Sequence, residues 1–105
     1  MEILDLKLED TAEQLKALGH PVRLRIIQEI MDRETCNCTE VCCHFSQSQS
    51  TISQHLAILR EAGFLEFEKV GNTSRFSLNH QAFDHLKQVM AVLANVNREP
   101  IDEHR

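Results

Sequence analysis

Four cysteines, Cys36, Cys38, Cys42 and Cys43, fall within eight residues of a 105-residue chain. In a secreted mini-protein such a cluster reads as a disulfide framework, whereas in a reducing cytosol it reads as a site for soft ions or a sensor of oxidants. Thiolate sulfur suits soft ions such as arsenite, antimonite, cadmium, lead or zinc. Cys38 and Cys42 are four apart, a spacing that brings two side chains together on one face of a helix. Cys36 and Cys38 would sit on a flexible lead-in, with the partial positive charge of the helix start favouring thiolate. Cys43, about 100° round the helix from Cys42, faces elsewhere and is the weaker metal ligand. The same thiols would serve a redox switch that closes a disulfide or carries a persulfide, and Cys42 would also suit a small core slot ahead of Phe45. His44 adds a subsidiary nitrogen beside them.

These thiols need elements to hold them. Leu8, Ala12, Leu15 and Leu18 fall at helical spacing and are followed by Gly19 and Pro21, so residues 8–18 read as a first helix. Pro21 suits the first turn of a second helix, ending near Asp32, with Val22, Leu24, Ile26, Ile27, Ile30 and Met31 as a broad apolar face. His20 reads as a capping residue, and Arg23 and Arg25 flank the core stripe. Thr39 followed by Glu40 reads as the cap of a short helix with Val41 and Phe45 on its buried side.

After a polar turn at Ser46–Ser48, residues 49–62 carry Ile52, Leu56 and Leu59 on one stripe, and Gly63 closes the helix. The alternation of residues 64–70, a turn at Gly71–Ser74 and renewed alternation over Arg75–Leu78 predict a β-hairpin. From Gln81 onward Phe83, Leu86, Val89, Met90, Leu93 and Val96 form the stripe of a last long helix, which must face the core or a partner.

The fold class is therefore mainly α with a small β-hairpin, a winged helix-turn-helix in one domain over residues 1–105, its core at 8–98 and a charged tail at 99–105. In that arrangement Ser48, Gln49, Ser50, Thr51, Ser53, Gln54 and His55 form a polar face for the major groove of double-stranded DNA. Lys69 and Arg75 flank the hairpin turn as backbone or minor-groove contacts.

The net charge of −5 opposes phosphate binding, although residues 46–79 are near neutral and the acidic excess lies toward the ends. No run approaches the roughly 18 apolar residues of a membrane span, and the start MEILDLKLED has no export leader, so a cytoplasmic protein without a membrane partner is expected. With only three glycines, at turn positions, and no Gly-rich phosphate loop, Ser elbow or His-Glu-x-x-His pair, catalysis is not expected.

Three stretches resemble the ArsR/SmtB family of bacterial metalloregulatory repressors: residues Leu15–Ile26 (LKALGHPVRLRI), Ser48–Leu56 (SQSTISQHL) and Leu59–Gly63 (LREAG). The resemblance covers residues 10–95. It implies a homodimer joined through the first and last helices, repression from an imperfect palindromic operator, and release when an effector binds. The cysteine cluster resembles the Cys-x-Cys-x-x-Cys set of the arsenic-sensing branch. With Ser48-Gln49-Ser50 as anchor, Cys42 falls on the last cysteine of that set, and Cys36 and Cys38 fall one residue early. The helix-borne zinc pattern of other members is not matched, because Asp84 and His85 are adjacent and no histidine stands at Asn95.

Overall fold

A computed structural model describes residues 8–95, and its helix ends follow from a few local residues. α1 (Leu8–Leu18) has Glu9 and Asp10 in its first turn and Lys16 in its last, each matched to the helix dipole. α2 (Pro21–Arg33) starts on a proline, whose missing N–H has no partner there in any helix. His20 caps it, its Nδ1 accepting from the Val22 N–H at 3.1 Å, as the sequence suggests.

α3 (Cys38–Cys42) begins earlier than expected. Asn37 Oδ1 accepts from the Glu40 N–H at 2.8 Å, and the Glu40 carboxylate accepts from the Asn37 N–H at 2.9 Å. This reciprocal box satisfies two amides where a Thr39 cap would satisfy one, so Thr39 lies inside the helix. The Asn37 N–H also holds the Glu40 carboxyl below its ordinary value.

α4 (Gln49–Glu61) is capped by Ser48, whose Oγ accepts from the Thr51 N–H at 3.2 Å, and Gly63 follows it at a φ of +93°. β1 (Leu65–Val70) and β2 (Thr73–Leu78) pair antiparallel, with Leu65 opposite Leu78 and Val70 opposite Thr73. The turn is therefore Gly71-Asn72 alone, with Gly71 at a φ of +64°. Thr73 and Ser74, expected in the turn, belong to β2. α5 (His80–Asn95) is preceded by Asn79, whose side chain accepts from the Gln81 N–H and donates to the Gly63 carbonyl. Val96 and the tail at 99–105 lie outside the described residues.

The core joins Ile26, Ile27 and Ile30 of α2, Val41 of α3, and Ile52, Leu56 and Leu59 of α4 to Phe64, Leu65, Leu78 and Ala82. Leu24 and Met31 are 51% and 58% exposed rather than buried, because α3, α4 and the hairpin cover a narrower strip of α2 than its apolar residues span. On α5, Ala82, Phe83 and Leu86 meet the core, whereas Met90 and Leu93 are 48% and 50% exposed. Leu8 and Leu15 of α1 are exposed as well. Among the described residues, part of the apolar side of the first and last helices is thus exposed, while Ala17, Ala82 and Val89 are buried.

Asn37→Ala should lower stability by about 1 kcal/mol, whereas Thr39→Ala should change it little. Urea unfolding of both variants checks this, and a Thr39→Ala loss exceeding that of Asn37→Ala would reassign the cap.

Candidate functional site

The linker between α2 and α3 is tied to the hairpin before the thiols begin. Cys36 pairs with Phe76 as an isolated antiparallel bridge, with N–H···O distances of 3.0 Å and 2.9 Å in the two directions. The Arg75 guanidinium donates to Thr35 Oγ1 at 2.9 Å and 3.1 Å, and meets Glu40 at 3.4 Å. Cys36 is consequently fully buried rather than on a flexible lead-in. Burial, then the Glu40 carboxylate, push its thiol up to about 11. Arg75, expected to face DNA from the wing, uses its guanidinium to hold this linker, and its side chain stays 31% exposed.

Cys38 and Cys42 do converge. Their Sγ atoms are 3.9 Å apart, and the Cys38 thiol also lies 3.9 Å from the Gln49 carbonyl, within reach as a weak S–H donor. The Cys38 thiol is pushed up to about 11, first by burial and then by its contact with Cys42. Desolvation outweighs the dipole of a five-residue helix, which reverses the expected bias toward thiolate. A ligand must therefore displace the Cys38 proton.

Cys43 is exposed at the C-cap, as its position on the helix suggests. His44 turns away from the cysteines: its Nε2 is 2.8 Å from Arg33 and its carbonyl accepts from Arg25. Among the described residues no group of three or more His, Cys, Asp or Glu is arranged to hold a metal ion.

On α4, Gln49, Ser50, Ser53 and Gln54 are exposed, and Ser48 links the helix start through Oγ contacts to Ser50 at 3.2 Å and Thr51 at 3.0 Å. Thr51 is half-buried. His55 departs from the polar face. Its ring lies 4.6 Å from that of His20, and its Nδ1 is 3.2 Å from the Arg23 guanidinium. Desolvation, and then the neighbouring His20 and Arg23, hold its pKa below the ordinary value. It serves as a neutral acceptor between α2 and α4, because residue 55 turns away from the solvent side occupied by residues 50 and 54. Lys69 is exposed on β1, as expected.

A cleft of about 540 Å³ separates α4 from the hairpin, with Cys38 in its wall. Arg60 reaches along it and places its guanidinium 4.0 Å above the centre of the Phe67 ring. Ser53, Ala57 and Arg60 repeat at four and three and so share a helix face, the signal that places Arg60 at this cleft.

Residues 20–66 match the family described as bacterial regulatory protein, arsR family. The transcriptional repressor PagR of Bacillus anthracis is 36% identical over 75 residues, 71% of this chain and 75% of that protein. An arsenical resistance operon repressor of Staphylococcus xylosus is 33% identical over 79 residues, 75% of each. A crystal structure described as "Possible transcriptional regulator for arsenical resistance" superposes with a TM-score of 0.71 at 30% identity, covering 77% of this chain and 83% of that one.

Because His55 is held neutral, its contribution to stability is present above the ordinary imidazole value of 6.5 and is lost as pH falls through that value to the lower folded one. An NMR titration should place the His55 midpoint below 6.5, and Arg23→Ala should raise it. A wild-type midpoint at or above 6.5 would contradict the packing described for this ring.

Proposed function

The chain belongs to the ArsR family of bacterial regulatory proteins and is a DNA-binding transcriptional repressor rather than an enzyme, and on that premise we propose a thiol-gated repressor whose inducer binds Cys38 and Cys42. The 3.9 Å approach of these two sulfurs carries the reading. Two thiolates bonded at about 2.3 Å to one tetrahedral ion stand about 3.8 Å apart, so the pair needs almost no rearrangement to share a soft ion. Arsenite, antimonite, cadmium, lead and zinc all fit that chemistry. Cys36, fully buried beside its backbone bridge to Phe76, and exposed Cys43 are less well placed to complete the shell.

DNA would be met by a homodimer. The uncovered apolar residues of α1 and α5, Leu8 and Leu15 with Met90 and Leu93, support a joint through those helices. Two α4 helices would then enter successive major grooves of an imperfect palindrome. Gln49, Ser50, Ser53 and Gln54 are the exposed groups able to read base edges there, with Ser48 and Thr51 shaping the start of the helix and Lys69 reaching the backbone. His55 and Arg75, engaged within the chain, would position these elements instead. Such a repressor works in the cytoplasm.

Induction follows from the second contact of Cys38. While protonated, its thiol can donate to the carbonyl of Gln49, the first residue of the recognition helix. Once ligated, the sulfur has no proton and turns lone pairs toward that oxygen, which pushes on the start of α4. A coupling of about 1–3 kcal/mol would be typical of such allostery.

The same 3.9 Å contact favours one alternative, a Cys38–Cys42 disulfide, in which the sulfurs close to about 2.05 Å and pass two electrons and two protons to an oxidant.

The reduced, ion-free protein should leave its operator in fluorescence anisotropy when arsenite, cadmium or zinc is added, and Cys38→Ser/Cys42→Ser should bind DNA but no longer respond. Retained response in the double variant would discard the site, whereas release by oxidant alone would make the protein a redox repressor. Gln54→Ala should cost about 1–3 kcal/mol of discrimination between operator and altered bases without changing ion affinity; unchanged discrimination would remove Gln54 from the reading face.

A further inference from the structure

Cys38 of the thiol pair lines a cleft, and the number of converging sulfurs together with the character of that cleft narrows what the pair can take. Two sulfurs meet, not three: Cys38 and Cys42 are in contact, while Cys36 is buried in its bridge to the hairpin. Trivalent arsenic or antimony has three covalent positions. Inorganic arsenite bound by two thiols keeps a hydroxyl, whereas R–As(OH)2, with one carbon substituent, has two exchangeable positions and is completed by two thiols.

In that exchange each sulfur forms a bond to arsenic as one As–O bond breaks, and each thiol proton leaves with the departing hydroxide as water. Two As–S bonds replace two As–O bonds, two waters are released, and arsenic stays trivalent without an oxidant. The substituent R remains attached and needs an apolar place to lie.

That place adjoins Cys38. The cleft between α4 and the hairpin, about 540 Å³, is within the range that holds small organic ligands. Leu56, Phe67 and Phe76 give it apolar and aromatic walls beside the small side chain of Ala57, while Ser53, Glu61 and Ser74 line its polar part and the Arg60 guanidinium over Phe67 would have to swing aside for an occupant. We propose that the ligand class of Cys38 and Cys42 is a trivalent metalloid bearing one aryl or similarly bulky apolar substituent, with that substituent seated between the recognition helix and the hairpin. This rests on the thiol pair being the inducer site. Occupancy would remove the Cys38 proton from the Gln49 carbonyl and wedge β1 away from α4 in one event.

The test titrates reduced full-length protein with phenylarsine oxide, methylarsonous acid and sodium arsenite, following heat and loss of reactive thiols. Phenylarsine oxide should bind once per chain, about tenfold tighter than the methyl compound, because burying a ring gains more than burying a methyl; arsenite should be weakest. Ala57→Trp, which fills the cleft, should bring phenyl affinity down to the methyl level and leave methyl affinity unchanged. If that variant does not fold, Phe67→Ala removes one wall from the exposed hairpin and should likewise cut only the phenyl preference.

Equal phenyl and methyl affinity in the wild type, or a phenyl preference that survives removal of the cleft, would overturn the inference. Tightest binding of arsenite, lost in Cys36→Ala, would also overturn it by establishing a three-thiol site, while leaving the thiol-gated reading intact. No binding of any of the three probes at Cys38 and Cys42 would overturn both.

Discussion

Two backbone hydrogen bonds between Cys36 and Phe76 decide where the thiol segment sits. They extend the hairpin by one residue of a third chain segment, so the exit from α2 cannot drift relative to β2. To enter that bridge the chain reverses at Glu34, whose φ of +71° places a side-chain-bearing residue in the left-handed region. Such a conformation costs on the order of 1–3 kcal/mol and persists because its surroundings impose it. Arg75 reinforces the junction through Thr35 and Glu40, and the Asn37–Glu40 box then starts α3 at Cys38.

This anchoring makes the α2–α3 linker a mechanical junction. Through Cys36 and Arg75 it is bonded to the hairpin, and through Cys38 it touches the first residue of α4. The two elements that would meet DNA therefore share a short, tightly held segment, and a change in the bonding of one sulfur reaches both. Val41 of α3 and Ile52 of α4, both fully buried in the shared core, keep α3 from yielding independently.

The charge distribution suits a reader that relies on fit more than on long-range attraction. The chain carries a net charge of −5, and several of its cations are engaged internally: Arg75 with Thr35, Arg23 with His55, and Arg60 against Phe67. The exposed face of α4 offers hydroxyl and amide groups instead of charge. Groups of that kind can distinguish base edges by hydrogen-bond direction, which would demand accurate placement of the helix.

The order of elements was legible in the sequence because periodicity, caps and glycines act locally. The 3.6-residue stripe of α4, the Pro21 start of α2, the Gly19 stop and the alternation of the hairpin each need only neighbouring residues to be recognised. The four-residue spacing of Cys38 and Cys42 likewise foretold their approach, since helix geometry alone produces it. Local rules were less sure where two of them competed, as at Asn37 and Thr39, where the reciprocal box won. What the sequence could not contain were distances between residues far apart in the chain. Burial of Cys36 depends on Phe76, forty positions on, and the engagement of Arg75 depends on Thr35. The neutral state of His55 depends on His20 and Arg23, and the exposure of Leu24 and Met31 depends on how little of α2 its neighbours cover. Residue type and spacing determined which elements form and which side chains share a face; only packing, which sets desolvation and long-range pairing, decided which thiols are buried and which charges remain free.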